Sequence, residues 1–183
     1  MARVFISFIH EEGDYAQLVQ SFISQILGAE AKPFLSSDKL QIYAGEKWID
    51  KIMEELKKAT VVLLIISEES VKRPWVNFEA GAAWTRDIAI IPVCIRGFTK
   101  DELPKPYSSL QAVELQRFGD DEYLARSIAH YLGLPEPLGQ MYGAVAAALG
   151  GRESEMRAAR EKRSYVTLQN ELTLLNSLPI QYS

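Results

Sequence analysis

One carboxylate in this sequence has the surroundings that catalysis requires. Glu79 lies four residues after Trp75, in the segment WVNFEAGAA that spans residues 75–83. Residues four apart share one face of a helix, and the small residues that follow Glu79 allow such a helix to approach a sheet closely. We therefore expect a partly desolvated carboxylate near the strand ends. The alternative is a first-turn glutamate that complements the helix dipole.

Other familiar catalytic patterns are absent from the sequence. It contains no glycine-rich nucleotide loop, no Walker loop and no HExxH motif. Ser67 follows an apolar run, but it lacks the flanking glycines of a nucleophile elbow. The chain has one cysteine, Cys94, and two histidines, His10 and His130. We therefore expect no structural metal site and no bound cofactor, and we expect Cys94 to pack as a small hydrophobe in a reducing compartment.

Hydrophobic periodicity predicts five strands that alternate with helices. Apolar runs typical of buried strands occupy residues 3–8, 33–35, 61–66, 88–95 and 112–115. Helical patterns run from a cap at Asp14 to a stop at Gly28, from 49 to 56, from 74 to about 86, and from a cap at Asp120 to 132. This order predicts the α/β class, with a flavodoxin-like, doubly wound sheet of about five parallel strands and helices on both faces.

Polar side chains follow several of the predicted strands. They are Ser7-Phe8-Ile9-His10, Ser36-Ser37-Asp38, Ser67 and Arg96-Gly97. Because ligands bind outside the carboxyl ends of strands in open parallel sheets, we expect the functional site at this edge.

Composition limits the possible partners. The chain has 183 residues, 48% of them hydrophobic, and a formal net charge of −4. This is enough for one α/β domain, and the acidic balance argues against direct binding of nucleic acid. The apolar run 61–66 is too short to span a membrane, so we expect a cytoplasmic protein without a membrane anchor.

The last fifty residues differ in character from the rest. We divide the chain into a domain at 1–133 and a helical extension at 134–183. A short helix is expected at 139–149, ended by Gly150-Gly151, and a second helix at 153–176. The extension either packs back on the domain, mediates oligomerisation, or links to another module.

Five segments, taken in order, resemble the TIR (Toll/interleukin receptor) domain. Residues 4–8 resemble its first strand, and residues 34–40 with 44–49 resemble its BB loop and the helix that follows. Residues 62–67 resemble the third strand, residues 74–79 the helix in which a Glu follows a Trp by four, and residues 90–93 the fourth strand. The resemblance covers about residues 3–132.

The resemblance implies a bacterial-type, NAD+-consuming TIR effector in which Glu79 is the catalytic residue. It also implies contacts to NAD+ from the first strand and its end, from the BB loop and from the Trp: Ser7, Phe8, Ile9, His10, Ser36, Asp38, Lys39 and Trp75. Residues of the BB loop and the following helix are expected to mediate TIR–TIR assembly: Leu40, Tyr43, Gly45 and Trp48.

The implied chemistry suits a lone carboxylate. Cleavage of the ribosyl–nicotinamide bond develops positive charge on the sugar, and the cationic leaving group needs no proton. NAD+ is then a substrate, and the reaction requires no metal or cofactor. Water as acceptor gives ADP-ribose, whereas an adenine nitrogen gives a cyclic isomer. Stacking of the adenine on Trp48, Trp75 or Trp84 favours the second product.

Two other functions remain open from the sequence. The chain is alternatively a non-catalytic TIR scaffold that acts by homotypic assembly, or a nucleotide-handling enzyme of related topology such as a nucleoside deoxyribosyltransferase. If the chain cleaves NAD+, we expect an oligomer that acts in anti-phage defence or cell-death signalling, together with a sensor domain or partner protein.

Overall fold

The computed structural model describes residues 3–36, 48–115, 117 and 119–137, and single or short runs of residues between 147 and 173. The predicted BB-loop residues Asp38, Lys39, Leu40, Tyr43 and Gly45 lie outside the described residues. So do Ser37 and the side chain of Trp48.

Five parallel strands form one sheet. They are β1 (Val4–Ser7), β2 (Phe34–Leu35), β3 (Val61–Ile66), β4 (Ala89–Cys94) and β5 (Val113–Glu114), and they lie in the order β2-β1-β3-β4-β5. The order reverses between β1 and β3, which is the topological switch point where ligands bind in folds of this kind. The predicted α/β class and parallel five-stranded sheet are confirmed, although β5 is shorter than the predicted run 112–115.

In the part of the chain that the structure describes, four helices flank the sheet, two on each face. They are α1 (Gly13–Leu27), α2 (Trp48–Lys57), α3 (Pro74–Trp84) and α4 (Asp120–Leu132). Alternate residues of the strands face opposite sides, so that Ile6 and Leu63 pack with α1 and α4, whereas Phe5 and Leu64 pack with α2 and α3. All six residues of β3 have 0% exposure, as expected for a central strand covered on both faces.

Two of the predicted helix caps are wrong. Helix α1 begins one residue before Asp14, with Glu12 in the capping position. Gly119 precedes α4, and Asp120 is the first residue of that helix. The Asp120 carboxylate instead accepts the backbone N–H of Glu114 at 2.8 Å and so ties α4 to β5. Gly28, with φ of +70°, ends α1 as predicted.

The described residues between 147 and 173 are helical, and one of them contacts the domain. Arg152 forms an ion pair with Asp14, and its guanidinium lies 4.8 Å from the ring centre of Tyr15. Gly150 and Gly151 are helical, so the predicted helix end at these glycines is wrong. The division at residue 133 and the roles of the extension as an oligomerisation helix or a linker stay predictions. No helix among the described residues is long and apolar enough to cross a membrane.

Candidate active site

Glu79 lies on α3, beside the carboxyl ends of β1 and β2. It is the sixth residue of α3, and its side chain has 0% exposure. Val76, Ala80 and Ala83 share the buried face of the helix with it. Glu79 is beyond the first turn, so the interpretation as a dipole-complementing first-turn residue is wrong. Gly81 is exposed and does not contribute to the close approach between α3 and the sheet.

Trp75 orients the carboxyl group. Its indole Nε1 donates a hydrogen bond to Glu79 Oε1 at 2.8 Å, which the four-residue spacing on one helix face permits. The indole ring packs against Phe78, with ring centres 5.3 Å apart. The Trp75–Glu79 pair predicted from the sequence is therefore a direct contact, and it fixes one of the two carboxyl oxygens.

Two hydroxyl groups lie near this carboxyl. Ser7 ends β1 and Ser36 follows β2, and both side chains lie near Glu79. Neither makes a well-formed hydrogen bond to the carboxyl: Glu79 Oε2 and both hydroxyl oxygens are buried without a partner among the described residues. The structure thus brings together Ser7, Ser36, Trp75 and Glu79, four of the predicted site residues.

Burial dominates the electrostatics of this carboxyl. Desolvation raises the pKa of Glu79 from 4.5 to about 7, against smaller lowering effects of Ser7, Trp75 and Ser36. The group therefore titrates near neutral pH. A ligand that donates hydrogen bonds to it would favour the ionised form.

The three residues that follow β1 differ in exposure. The ring of Phe8 packs in the core on the side of α1, the opposite face of the sheet from Glu79. Ile9 is also buried, whereas His10 is exposed at the start of a 3-10 turn. Only His10 among these three offers an exposed side chain at this edge. Their contacts with NAD+ stay predictions.

Trp84 is the last residue of α3 and is 46% exposed. It lies five residues after Glu79, which corresponds to about 7.5 Å along the helix axis. Stacking of the adenine on Trp48, Trp75 or Trp84 stays a prediction.

A second buried carboxylate was missed from the sequence. Glu12 has 0% exposure and accepts a hydrogen bond from Ser67 Oγ. Desolvation also raises its pKa from 4.5 to about 7, opposed by Ser67, Ser70 and Arg96. In the sequence, Glu11-Glu12 is typical of a solvated loop. The feature that could have indicated a buried polar partner is Ser67, a polar residue at the end of a fully buried strand.

Among the described residues, no group of three or more His, Cys, Asp or Glu side chains is arranged to hold a metal ion. Cys94 is buried in β4, where it packs with the core.

Comparison with known proteins identifies relatives of this arrangement. A family model described as TIR domain matches residues 4–128. A metazoan TIR-STING receptor from C. gigas, solved in complex with 2′,3′-cGAMP, is 21% identical with a TM-score of 0.50, and the match covers 74% of this chain and 41% of that one. The chain thus spans less than half the length of that receptor chain. The TIR domains of the activated Roq1 resistosome, which directly recognises the pathogen effector XopQ, are 14% identical with a TM-score of 0.44, over 88% of this chain and 98% of that one. No curated protein sequence gives a significant match.

Proposed function

This chain belongs to the TIR domain family, and we propose that it is an NAD+ glycohydrolase whose catalytic carboxylate is Glu79. One observation carries the proposal: Glu79 Oε2 and the hydroxyl oxygens of Ser7 and Ser36 are buried together without partners among the described residues. Buried polar atoms without partners cost stability unless a ligand satisfies them. Ribose hydroxyls both donate and accept hydrogen bonds, so a single sugar can pair with all three.

The proposed reaction breaks the bond between the anomeric carbon of the ribose and the nicotinamide nitrogen. The electron pair of this bond goes to the pyridinium nitrogen, so nicotinamide leaves as a neutral molecule while positive charge develops on the sugar. The carboxylate of Glu79 stabilises that charge. Water then adds to the anomeric carbon and loses a proton, which gives ADP-ribose. Attack by an adenine nitrogen in place of water gives a cyclic isomer.

The protonation state of Glu79 suits this role at neutral pH. With its pKa at about 7, a substantial fraction of the carboxyl is ionised, and ribose hydroxyls that donate to it stabilise the ionised form further. The low dielectric of the buried position strengthens the attraction between the carboxylate and the sugar cation. Because the side chain has 0% exposure, the ribose reaches it only when groups that now cover it move.

The remaining site residues enter as part of the proposal. We assign the nicotinamide end to the peptide at Phe8, Ile9 and His10, where the buried side chains of Phe8 and Ile9 leave backbone groups and His10 for contact. Asp38 and Lys39 are assigned to the loop that completes the site. We further propose a cytoplasmic, bacterial-type effector that acts in anti-phage defence or cell-death signalling, and that responds to a sensor domain or a partner protein.

Homotypic assembly has its own support in the structure. Three large apolar side chains of α2 and α3, Ile49, Phe78 and Trp84, are 42%, 43% and 46% exposed. Exposed aromatic and aliphatic groups of this kind are typical of contact surfaces. They fit an enzyme that is active as an oligomer, and they fit equally the alternative of a non-catalytic scaffold that acts by TIR–TIR contacts.

Product analysis separates the two functions. Concentrated protein is incubated with NAD+, and nicotinamide, ADP-ribose and its cyclic isomer are separated and identified by mass. We expect nicotinamide release by the wild type, none above background by Glu79→Gln or Glu79→Ala, and unchanged release by Glu68→Gln, in which an exposed glutamate paired with Lys72 is altered. Intact NAD+ with assembled wild-type protein would leave the scaffold as the function.

A further inference from the structure

A second buried carboxylate occupies the switch point of the sheet, and the proposed reaction does not use it. Glu12 ends the 3-10 turn that follows β1 and is fully buried. Its partner Ser67 follows β3, the strand next to β1. The Glu12–Ser67 hydrogen bond therefore joins the two strand ends between which the strand order reverses.

Ser67 is the centre of a network that shapes the connection between β3 and α3. Besides donating to Glu12, its hydroxyl accepts the backbone N–H groups of Glu69 at 3.1 Å and Ser70 at 3.3 Å. Ser70 Oγ in turn accepts the backbone N–H of Ser67 at 2.8 Å and donates to the carbonyl of Ile65 at 3.2 Å. The conformation of this connection is thus fixed from its first residue.

The connection leads directly into the helix that carries the site. The backbone N–H of Arg73 bonds the carbonyl of Ser70 at 3.0 Å, and α3 begins at the next residue. The Arg73 side chain makes a second link, with ion pairs to Glu69 at 2.6 Å and to Glu11 at 3.3 Å. The groups of this second link are each nearly half exposed, and exposed ion pairs contribute little. Glu12 therefore makes the stronger of the two links.

Stability alone does not account for a carboxyl group at this position. Glu12 Oε2 is buried without a partner among the described residues, and desolvation is the largest influence on the pKa of this carboxyl. An apolar side chain of similar volume would avoid that cost. Buried hydrogen-bond networks, by contrast, specify one arrangement of the elements that they join.

We propose that Glu12 is a positioning residue, which holds the peptide after β1 against the start of α3 and thereby sets Trp75 and Glu79 relative to Ser7. Its effect on catalysis rests on the proposed NAD+ cleavage, whereas its effect on the geometry of α3 does not. Glu12 acts through the acceptor oxygen that it offers to Ser67. A glutamine at this position keeps such an oxygen and should preserve the positioning, whereas an alanine lacks it and should not.

The test combines NAD+ kinetics with a structural signal that does not depend on activity. The variants are Glu12→Ala, Glu12→Gln, Ser67→Ala and the double alanine variant. Glu114→Gln is the matched control, because Glu114 is a buried carboxylate on β5 that accepts the backbone N–H of Lys100. The structural signal is the NMR resonance of the Trp75 indole N–H, assigned through Trp75→Phe, because this group donates to Glu79.

We expect Glu12→Ala and Ser67→Ala each to shift the Trp75 indole resonance and to lower kcat by about tenfold to a hundredfold, as small misplacements of catalytic groups do. KM should stay within about threefold, because the loss is confined to the transition state. The double variant should be no worse than Ser67→Ala alone, because Ser67→Ala already removes the Glu12–Ser67 hydrogen bond together with the two backbone N–H contacts of the same hydroxyl. Glu12→Gln and Glu114→Gln should resemble the wild type in both measurements.

Several outcomes would overturn the proposal. One is an unmoved Trp75 resonance in both Glu12→Ala and Ser67→Ala; another is a Glu12→Gln variant as impaired as Glu12→Ala. If Glu12→Ala does not fold, Ser67→Ala decides, because it removes the same hydrogen bond and leaves Glu12 in place. If the wild type leaves NAD+ intact, the proposed function fails, and the resonance still decides whether Glu12 positions α3.

Discussion

Replacing Glu79 by glutamine should stabilise the fold at alkaline pH while it removes the proposed activity. Burial raises the pKa of Glu79 from 4.5 to about 7 in the native state, whereas the unfolded chain ionises near the ordinary value. Between these two pKa values the native state holds a proton that the unfolded state has released. The stabilising contribution of this carboxyl is therefore complete below the unfolded pKa and is lost as the pH rises through about 7.

The size of the effect follows from the two pKa values. A gap of about 2.5 between them corresponds to about 3 kcal/mol at pH 8 and to less than about 1 kcal/mol at pH 5. Glutamine carries no charge, keeps an acceptor for Trp75 Nε1, and directs its NH2 group toward Ser7 and Ser36. We therefore expect Glu79→Gln to raise the free energy of unfolding by up to about 3 kcal/mol at pH 8, equivalent to about 6–12 °C in Tm.

The assay is urea unfolding followed by tryptophan fluorescence, at pH 5 and pH 8, for the wild type, Glu79→Gln and Glu68→Gln. The exposed control should change the free energy of unfolding by no more than about 0.5 kcal/mol at either pH. The advantage of Glu79→Gln over the wild type in the free energy of unfolding should be larger at pH 8 than at pH 5. An equal advantage at both pH values would refute the reasoning, because it would mean that the native carboxyl is already ionised at pH 5.

Three further predictions follow from the same site. The rate of NAD+ cleavage should rise with an apparent pKa near 7 as Glu79 ionises. A rate that stays constant between about pH 5.5 and about pH 8 would contradict the role of the carboxylate. Trp75→Phe removes the N–H that donates to Glu79. We expect kcat to fall by about tenfold and the acid limb of the pH–rate profile to move to higher pH. An unchanged acid limb would show that this hydrogen bond does not stabilise the ionised form of Glu79. Activity should increase faster than linearly with protein concentration, as measured by nicotinamide release over a dilution series, and strict proportionality down to dilute monomer would argue against an active oligomer.

The strands and helices that carry the site are predictable from local patterns. The six buried residues of β3 form one apolar run, and the amphipathic spacing of α1 ends at Gly28 as the structure has it. Trp75 and Glu79 are four residues apart within one helix, so their contact follows from helix geometry alone. Parallel topology then places Ser7 and Ser36 at the same edge of the sheet.

What escaped prediction depends on contacts between residues distant in sequence. Glu12 and Ser67 are 55 residues apart, and no local pattern distinguishes the buried Glu12 from its exposed neighbour Glu11. Asp120 looks like a helix cap in sequence, yet its carboxylate bonds the backbone of β5 instead. The face that Gly81 presents depends on the rotation of α3 against the sheet, which the nearly uniform apolar composition of that helix does not fix.

A structure of the assembled Glu79→Gln protein with uncleaved NAD+ tests the central claim most directly. We expect the side-chain amide at position 79 to lie about 3 Å from a hydroxyl of the nicotinamide ribose, within hydrogen-bond distance, with Ser7 and Ser36 on the same sugar. A ribose bound elsewhere, with the side chain at position 79 still enclosed and in contact only with Trp75, would contradict it.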